Sequence, residues 1–207
     1  KGIGLVTEFA TGEVDGAAGI LRSYDEREVP FDLLVTVPLH AGAEYVERSP
    51  GLGDELGFVQ ADPRTMRAKA AANVFVIGDA ANVPTSKAGS VTHFEGETVV
   101  ENIERHLAGR PLEPSYDGHA NCFIETGFGK ALLIDFNYDT EPLPGRFPEP
   151  HVGPLPLLRE SRLNHMGKLM FEWIYWHLLL PGREMPGISS RMQTAGKHRP
   201  QTEETTK

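Results

Sequence analysis

The sequence predicts an α/β fold organised around one buried strand that ends at a ligand, and three observations predict it. The stretch Asn73-Val74-Phe75-Val76-Ile77-Gly78-Asp79-Ala80-Ala81-Asn82 sets an apolar, β-branched run directly before a Gly-Asp pair. An amphipathic helical pattern over 91–107 follows within a short loop of small residues. Further on, two apolar runs flank Gly127-Phe128-Gly129 and read as a hairpin. The run 74–77 has the composition of a parallel strand buried on both faces. Gly78 lets the backbone approach whatever lies beyond the strand end, and Asp79 puts a carboxylate at the carboxyl edge of the sheet, where open α/β folds bind ligands.

Taken in order, the first segment alternates short apolar runs with turns. Runs at 3–9, 17–21 and 31–37, separated by Gly12-Glu13-Val14-Asp15-Gly16 and similar stretches, predict a small meander that ends in a buried strand. Residues 39–60 are Gly-rich and predict a loop with one helical turn. Gly51-Leu52-Gly53 within it is no nucleotide fingerprint, because the third Gly is misplaced and no strand precedes it. Helix 91–107 carries Phe94, Val99, Val100, Ile103 and Leu107 near one face and Glu95, Glu97, Glu101 and Glu104 elsewhere, with Gly109-Arg110-Pro111 closing it. Its unpaired first-turn N–H groups make its start a candidate anion or flavin site. After the hairpin, 142–156 reads as a Pro-rich connection with little regular structure.

The last ordered element expected is a helix over 159–180. Leu163, Met166, Met170, Phe171, Ile174, Tyr175, Leu178 and Leu179 recur at helical spacing with Trp173 and Trp176 beside them. Lys168 and Glu172 make it too charged for a bilayer span, so it suits either a helix lying in a membrane interface or a core or dimer-interface helix. Residues 196–207 form a polar tail expected to be disordered.

The 207 residues, of which 40% are hydrophobic, suffice for one domain or one and a half. A net charge of -9 leaves no basic stripe to neutralise phosphates and argues against a nucleic-acid partner. The single cysteine excludes an internal disulfide and a Cys-rich zinc site, and the eight histidines lack metal-ligand spacing, so no metal site is expected. Lys1-Gly2-Ile3-Gly4-Leu5 has no signal-peptide shape and reads as a cut inside a longer protein.

Asn-Val-Phe-Val-Ile-Gly-Asp-Ala resembles the second flavin-binding motif of two-dinucleotide-domain flavoproteins, in which the Asp binds the ribityl chain of FAD. Three features in order then narrow the likeness: the 74–77 strand with Pro84-Thr85-Ser86-Lys87-Ala88-Gly89, the Cys122 hairpin with Thr126-Gly127-Phe128-Gly129, and the terminal Trp173-Ile174-Tyr175-Trp176. Together they resemble the C-terminal half of the sulfide:quinone oxidoreductase family, up to about residue 181. The resemblance implies a partial two-dinucleotide-binding-domain, Rossmann-like flavoprotein with a C-terminal hairpin and amphipathic helix. Its parts would be the end of a second, NAD-type domain (1–61), a returning FAD-binding segment (62–111), a quinone- and membrane-facing region (112–181) and a polar tail (182–207).

In that family a redox cysteine pair beside FAD carries sulfur derived from sulfide, and a quinone reoxidises the flavin. The resemblance assigns Cys122 the catalytic role, in a Cys-x-x-x-Thr-Gly context, where a thiolate is the reactive form. It assigns FAD contacts to Gly78, Asp79, Lys87, Gly89 and Lys168, and quinone contacts to Phe123 and Phe171. Peripheral membrane attachment through 159–180 is implied, with the membrane face open and homo-oligomerisation possible. Against the family pattern, the first Gly-x-Gly-x-x-Gly fingerprint and the partner cysteine are not in this chain, and Phe123 replaces a Pro that often follows the cysteine. The chain alone is therefore expected to bind FAD poorly and not to turn over. A type II NADH:quinone dehydrogenase, a flavocytochrome sulfide dehydrogenase and a catalytically silent flavin-binding or membrane-scaffold protein remain alternatives.

Overall fold

A computed structural model describes residues 2–37, 39–148, 153–183 and 188–198. The chain divides into two units, Lys1–His40 and Ala41–Lys207. The first is a three-stranded antiparallel meander of β1 (Thr11–Asp15), β2 (Ile20–Ser23) and β3 (Glu28–Pro30). The β1–β2 turn forms because Asp15 Oδ1 accepts the N–H groups of Ala17 and Ala18 at 3.1 and 2.9 Å, an Asx-type turn. Register is marked by Arg22, which faces Glu13 on one side and Glu28 on the other and pairs with both at 3.2 and 2.6 Å. The meander is as the sequence predicts, but its strands are not. Residues 3–9 and 31–37 form no strand, and Leu33 and Val35 are more than four-fifths exposed, so the expected buried final strand is absent among the described residues. β3 ends at Pro30, whose missing N–H cannot extend a ladder.

In the larger unit the expected helical turn is α1 (Glu44–Glu47), with Val46 buried. Residues 74–77 run close to extended but do not form a named strand. Phe75 makes one antiparallel bridge to Arg67, and Val76 N–H donates to Met66 O at 3.0 Å. With one bridged edge, the run buries Val76 and leaves Ile77 partly exposed. Parallel pairing appears one step later, between β4 (Val59–Gln60) and β5 (Ala81–Asn82). A 3-10 turn, Gly78–Ala80, lies between the apolar run and β5.

Helix α2 (Gly89–Leu107) forms where the pattern predicts but turns a different face inward. Its buried residues are Val91, Phe94, Glu95, Thr98 and Asn102, while Val100 and Leu107 are well exposed. The polar residues can be buried because each has partners. Asn102 Nδ2 donates to Thr65 O (3.2 Å) and Glu113 O (3.0 Å), its Oδ1 accepts Glu113 N–H (2.7 Å), and Thr98 accepts the Ser115 hydroxyl (3.1 Å). Val91 and Phe94 join Met66, Val76, Ala81 and Tyr116 in the main core.

β6 (Ala120–Gly127) and β7 (Lys130–Phe136) form the expected hairpin. Its tip, Phe128 and Gly129, has φ of 57° and 66°, the left-handed pair a two-residue turn of this twist requires. β7 alternates, burying Ala131, Leu133 and Asp135. Asp135 is held inside by His119 Nε2 at 2.7 Å and by the buried Lys197 ammonium; His119 also contacts Ser189 O at 2.7 Å and stacks on Phe94 at 4.8 Å. The expected disorder of 196–207 is therefore corrected for its first residues: Lys197 bridges Gly145 and His198 N–H donates to Pro144 O at 2.9 Å, whereas 199–207 lie outside the described residues. The 142–156 connection is also more regular than expected, supplying β8 (Gly145–Phe147) and β9 (Leu155–Leu157) as an antiparallel pair.

Helix α3 (Arg162–Ile174) starts at Ser161, whose hydroxyl accepts Asn164 N–H at 3.0 Å, and continues into a π-helical turn, Tyr175–Leu179. Gly167 lets it lie on the hairpin, since a Cβ there would stand 3.2 Å from Phe123 Cζ and 3.3 Å from a Leu155 methyl. On its other side Met166, Leu169, Met170, Trp173 and Trp176 are each more than half exposed. No helix among the described residues is long and apolar enough to cross a membrane.

Removing the Asp135 carboxylate strands a buried ammonium and a buried imidazole. Asp135→Ala is expected to lower the unfolding free energy by about 3–5 kcal/mol in urea denaturation. A loss below about 1 kcal/mol would contradict the structural role given to this carboxylate.

Candidate active site

A cavity of about 290 Å³ opens between the start of α2, the first half of β6 and the middle of α3. The Ser90 hydroxyl ties two of these elements by donating to Asn121 O at 3.0 Å, one residue before Cys122. Five of the eight cofactor, catalytic and quinone residues singled out in the sequence meet in it. Gly89, Cys122, Phe123, Lys168 and Phe171 all line this cavity. Gly78, Asp79 and Lys87 do not.

Cys122 is half-buried and lies opposite Ile134 in the hairpin. Burial pushes its thiol pKa up, because the thiolate loses water it cannot replace; the Ser86 hydroxyl, hydrogen-bonded to the sulfur, opposes that shift. Phe123, Phe171 and Tyr175 give the cavity aromatic walls. The polar side is Lys168, 3.5 Å from Glu125, which also receives His165 Nδ1 at 2.9 Å. The His165 hydrogen bond, ahead of the Lys168 charge, holds the Glu125 carboxyl below its ordinary range. His93, a further wall residue, pairs loosely with Glu97 at 3.6 Å.

The start of α2 suits an electron-rich ligand. The cap residue Ala88 makes no side-chain hydrogen bond to the first turn, no acidic residue stands in that turn, and a Cβ at Gly89 would meet nothing within 4 Å. Free N–H groups and the dipole thus face an open approach. Gly78, in the 3-10 turn, packs against the same helix at Thr92. It has a φ of +63°, and a Cβ there would stand 3.0 Å from Thr92 Oγ1, so the turn and the helix touch at a position only glycine fills well. Gly78 N–H donates to Glu95 Oε2 at 2.6 Å. Asp79 is exposed, and Lys87 turns away from the cavity, donating to Ala81 O at 2.5 Å and lying 5.1 Å from the centre of the Phe58 ring.

The sequence assigns no role at the site to Ser86, Ser90, His93, Asn121 or Tyr175. Tyr175 could have been found, since it lies one helical turn beyond Phe171, and Ser90 and His93 continue the first turn of α2 from Gly89. Among the described residues no group of three or more His, Cys, Asp or Glu could hold a metal ion.

No family model matches the chain. Curated relatives do. The chain is 35% identical over 152 residues to the mitochondrial sulfide:quinone oxidoreductase of Schizosaccharomyces pombe, a match covering 72% of this chain and 32% of that protein. The chain is a homologue of sulfide:quinone oxidoreductases over about three quarters of its length. It is also 31% identical to the protein of that name from Dictyostelium discoideum, over 76% of the chain and 33% of the relative, and 27% identical to that of Mus musculus, over 74% and 33%. The chain thus spans about a third of the length of the curated relatives it matches. Among solved structures, the sulfide:quinone oxidoreductase of Aquifex aeolicus superposes with a TM-score of 0.59 at 17% identity, covering 79% of this chain and 39% of that one. A chain in the Tetrahymena thermophila mitochondrial ATP synthase structure superposes with a TM-score of 0.56 at 21% identity, covering 79% and 37%. These two likenesses concern the fold.

Because the chain holds one cysteine, alkylation reads that site alone. The pH dependence of iodoacetamide labelling should have its midpoint above that of a free thiol, and Ser86→Ala should move it higher by removing a donor to the thiolate. A midpoint at or below the free-thiol value would contradict the burial described.

Proposed function

We propose that the chain is part of a longer flavoprotein that oxidises sulfide and passes electrons through FAD to a membrane quinone. The observation that carries this reading is the convergence of Gly89, Cys122, Phe123, Lys168 and Phe171 on one cavity. Homology to sulfide:quinone oxidoreductases suggests the reaction class, and the cavity supports a site for it.

The residues fit a flavin at the start of α2. An uncapped helix N-terminus with no competing acid favours the electron-poor ring's carbonyl and anionic reduced form, and Gly89 leaves room for it. FAD, when bound, supplies two-electron transfer between thiol and quinone. Gly78 and Asp79 would hold its ribityl chain, and Lys168 would stand near the ring. Lys87, engaged with Ala81 O and Phe58, would contribute by fixing the loop that leads into α2.

The sulfur step falls to Cys122 and a second cysteine outside this chain. Hydrosulfide attacks a sulfur of their disulfide, forming a new S–S bond as the Cys–Cys bond breaks and the other sulfur leaves as thiolate. Transfer of the persulfide's outer sulfur to a nucleophilic acceptor such as a second sulfide or a thiol leaves both cysteines reduced, and re-forming their disulfide releases two electrons and two protons per sulfide, which the flavin, when bound, would pass to the quinone. Ser86 steadies the Cys122 thiolate by donating a hydrogen bond, which offsets part of the cost of burying the charge. Phe123 and Phe171 supply flat apolar faces for the quinone ring. The exposed apolar side of α3, with Trp173 and Trp176, would rest in the bilayer interface and bring the cavity's aromatic end toward the lipid, as a peripheral attachment. On this reading 1–61 and 62–111 belong to Rossmann-like NAD-type and FAD-binding parts, 112–181 to the quinone side and 182–207 to a tail.

The test is Cys122→Ser in the full-length protein. Sulfide-dependent quinone reduction should fall by at least about a hundredfold, since the disulfide that accepts the sulfur can no longer form. A wild-type rate would remove the assignment.

A further inference from the structure

We propose that Glu95 is a positioning residue for the cofactor, its buried carboxylate fixing the Gly78–Asp79 turn against α2. The inference rests on the reading above that this turn holds the flavin's ribityl chain. Glu95 is 1% exposed, an unusual place for a carboxylate, and nothing in the sulfide chemistry uses it. Its Oε2 accepts Gly78 N–H at 2.6 Å, a short, charge-assisted bond across 17 residues of sequence. Gly78 opens the 3-10 turn in the left-handed region, where its N–H points back at the helix instead of along a strand.

That bond sets where Asp79 goes. Asp79 is the next residue, it is exposed on the outer side of the turn, and its carboxylate cannot be aimed if the preceding peptide is free to rotate. Glu95 also stands on the same helix as Gly89, six residues along. The carboxylate therefore locks the distance between the turn that would grip the ribityl chain and the helix start that would face the ring. The charged and titratable groups around Glu95 are Lys87, Asp79, Tyr116 and Tyr138. Burial raises the carboxyl's pKa, the Gly78 bond and Lys87 pull it back, and Asp79 adds to the rise, so the acceptor is kept at a cost in desolvation. A buried carboxylate whose main partner is one backbone N–H makes physical sense where that N–H must be held still.

The experiment uses the full-length flavin-loaded protein with Glu95→Gln, Glu95→Leu and Glu95→Asp. It measures the FAD dissociation constant from recovery of flavin fluorescence, the visible spectrum of bound flavin, and the melting temperature of the apo protein. Gln keeps a carbonyl acceptor at the same reach and should hold FAD within about threefold of wild type with an unchanged spectrum. Leu fills the space without an acceptor and should weaken FAD at least tenfold, with a shifted spectrum. Asp falls one methylene short of Gly78 and should weaken FAD likewise; it decides the matter if the Leu variant fails to fold. FAD bound at wild-type affinity by the Leu or Asp variant, or lost from Gln as completely as from Asp, would overturn the proposal. A full-length wild-type protein that binds no FAD would instead overturn the functional reading on which it rests.

Discussion

The buried Asp135 carboxylate is the constraint on which the larger unit depends. Through His119 it reaches the loop entering β6 and, by stacking on Phe94, helix α2; through Lys197 it takes in the chain beyond α3. Four separated stretches thus meet at one charge with 1% exposure. Such a group is costly to bury and costlier to leave unpaired, so the four stretches are held together cooperatively. Cys122 lies three residues from His119, and Asn121, its neighbour, faces Asp135 across the hairpin. The cavity wall that carries the thiol is therefore braced from behind by an ion cluster instead of by apolar packing alone.

On the other side the hairpin is braced by α3. Gly167 permits contact between the helix backbone and Phe123, and Asn164, fully buried, donates to Pro156 O at 2.9 Å and Arg159 O at 3.0 Å, locking the helix start to β9. This contact turns the inner side of α3, with Lys168 and Phe171, toward the thiol and leaves its tryptophans outward. The same helix thereby serves two environments. One face completes an aromatic cavity and the other remains apolar and exposed.

Much of this was legible in the sequence wherever the signal was local. The hairpin followed from two apolar runs around a Gly-Phe-Gly tip, α2 from periodicity and its glycine stop, and the meander from short runs between turns. The cavity residues Cys122, Phe123, Lys168 and Phe171 came from the family resemblance; the single-sequence pattern of each would equally suit a core position. What was not legible depends on partners far along the chain. α2 buries Glu95, Thr98 and Asn102 because Gly78, Ser115, Thr65 and Glu113 satisfy them, and no periodicity of α2 itself reveals that. Lys197 looks like part of a solvated tail until Asp135, 62 residues away, is placed beside it. The 74–77 run has strand composition, yet composition sets no ladder: its hydrogen bonds reach the 66–68 segment and, from Val74 N–H, turn back to Ala71 O.

In the proposed function the cavity around Cys122 joins sulfide to a flavin and a quinone. An anaerobic titration of the full-length protein tests it most directly, with sulfide, NADH and a short-chain quinone added separately while the flavin's visible absorbance is followed. The account predicts that sulfide bleaches the flavin, that quinone restores the colour, and that NADH leaves it unchanged. Bleaching by NADH with no response to sulfide would contradict it.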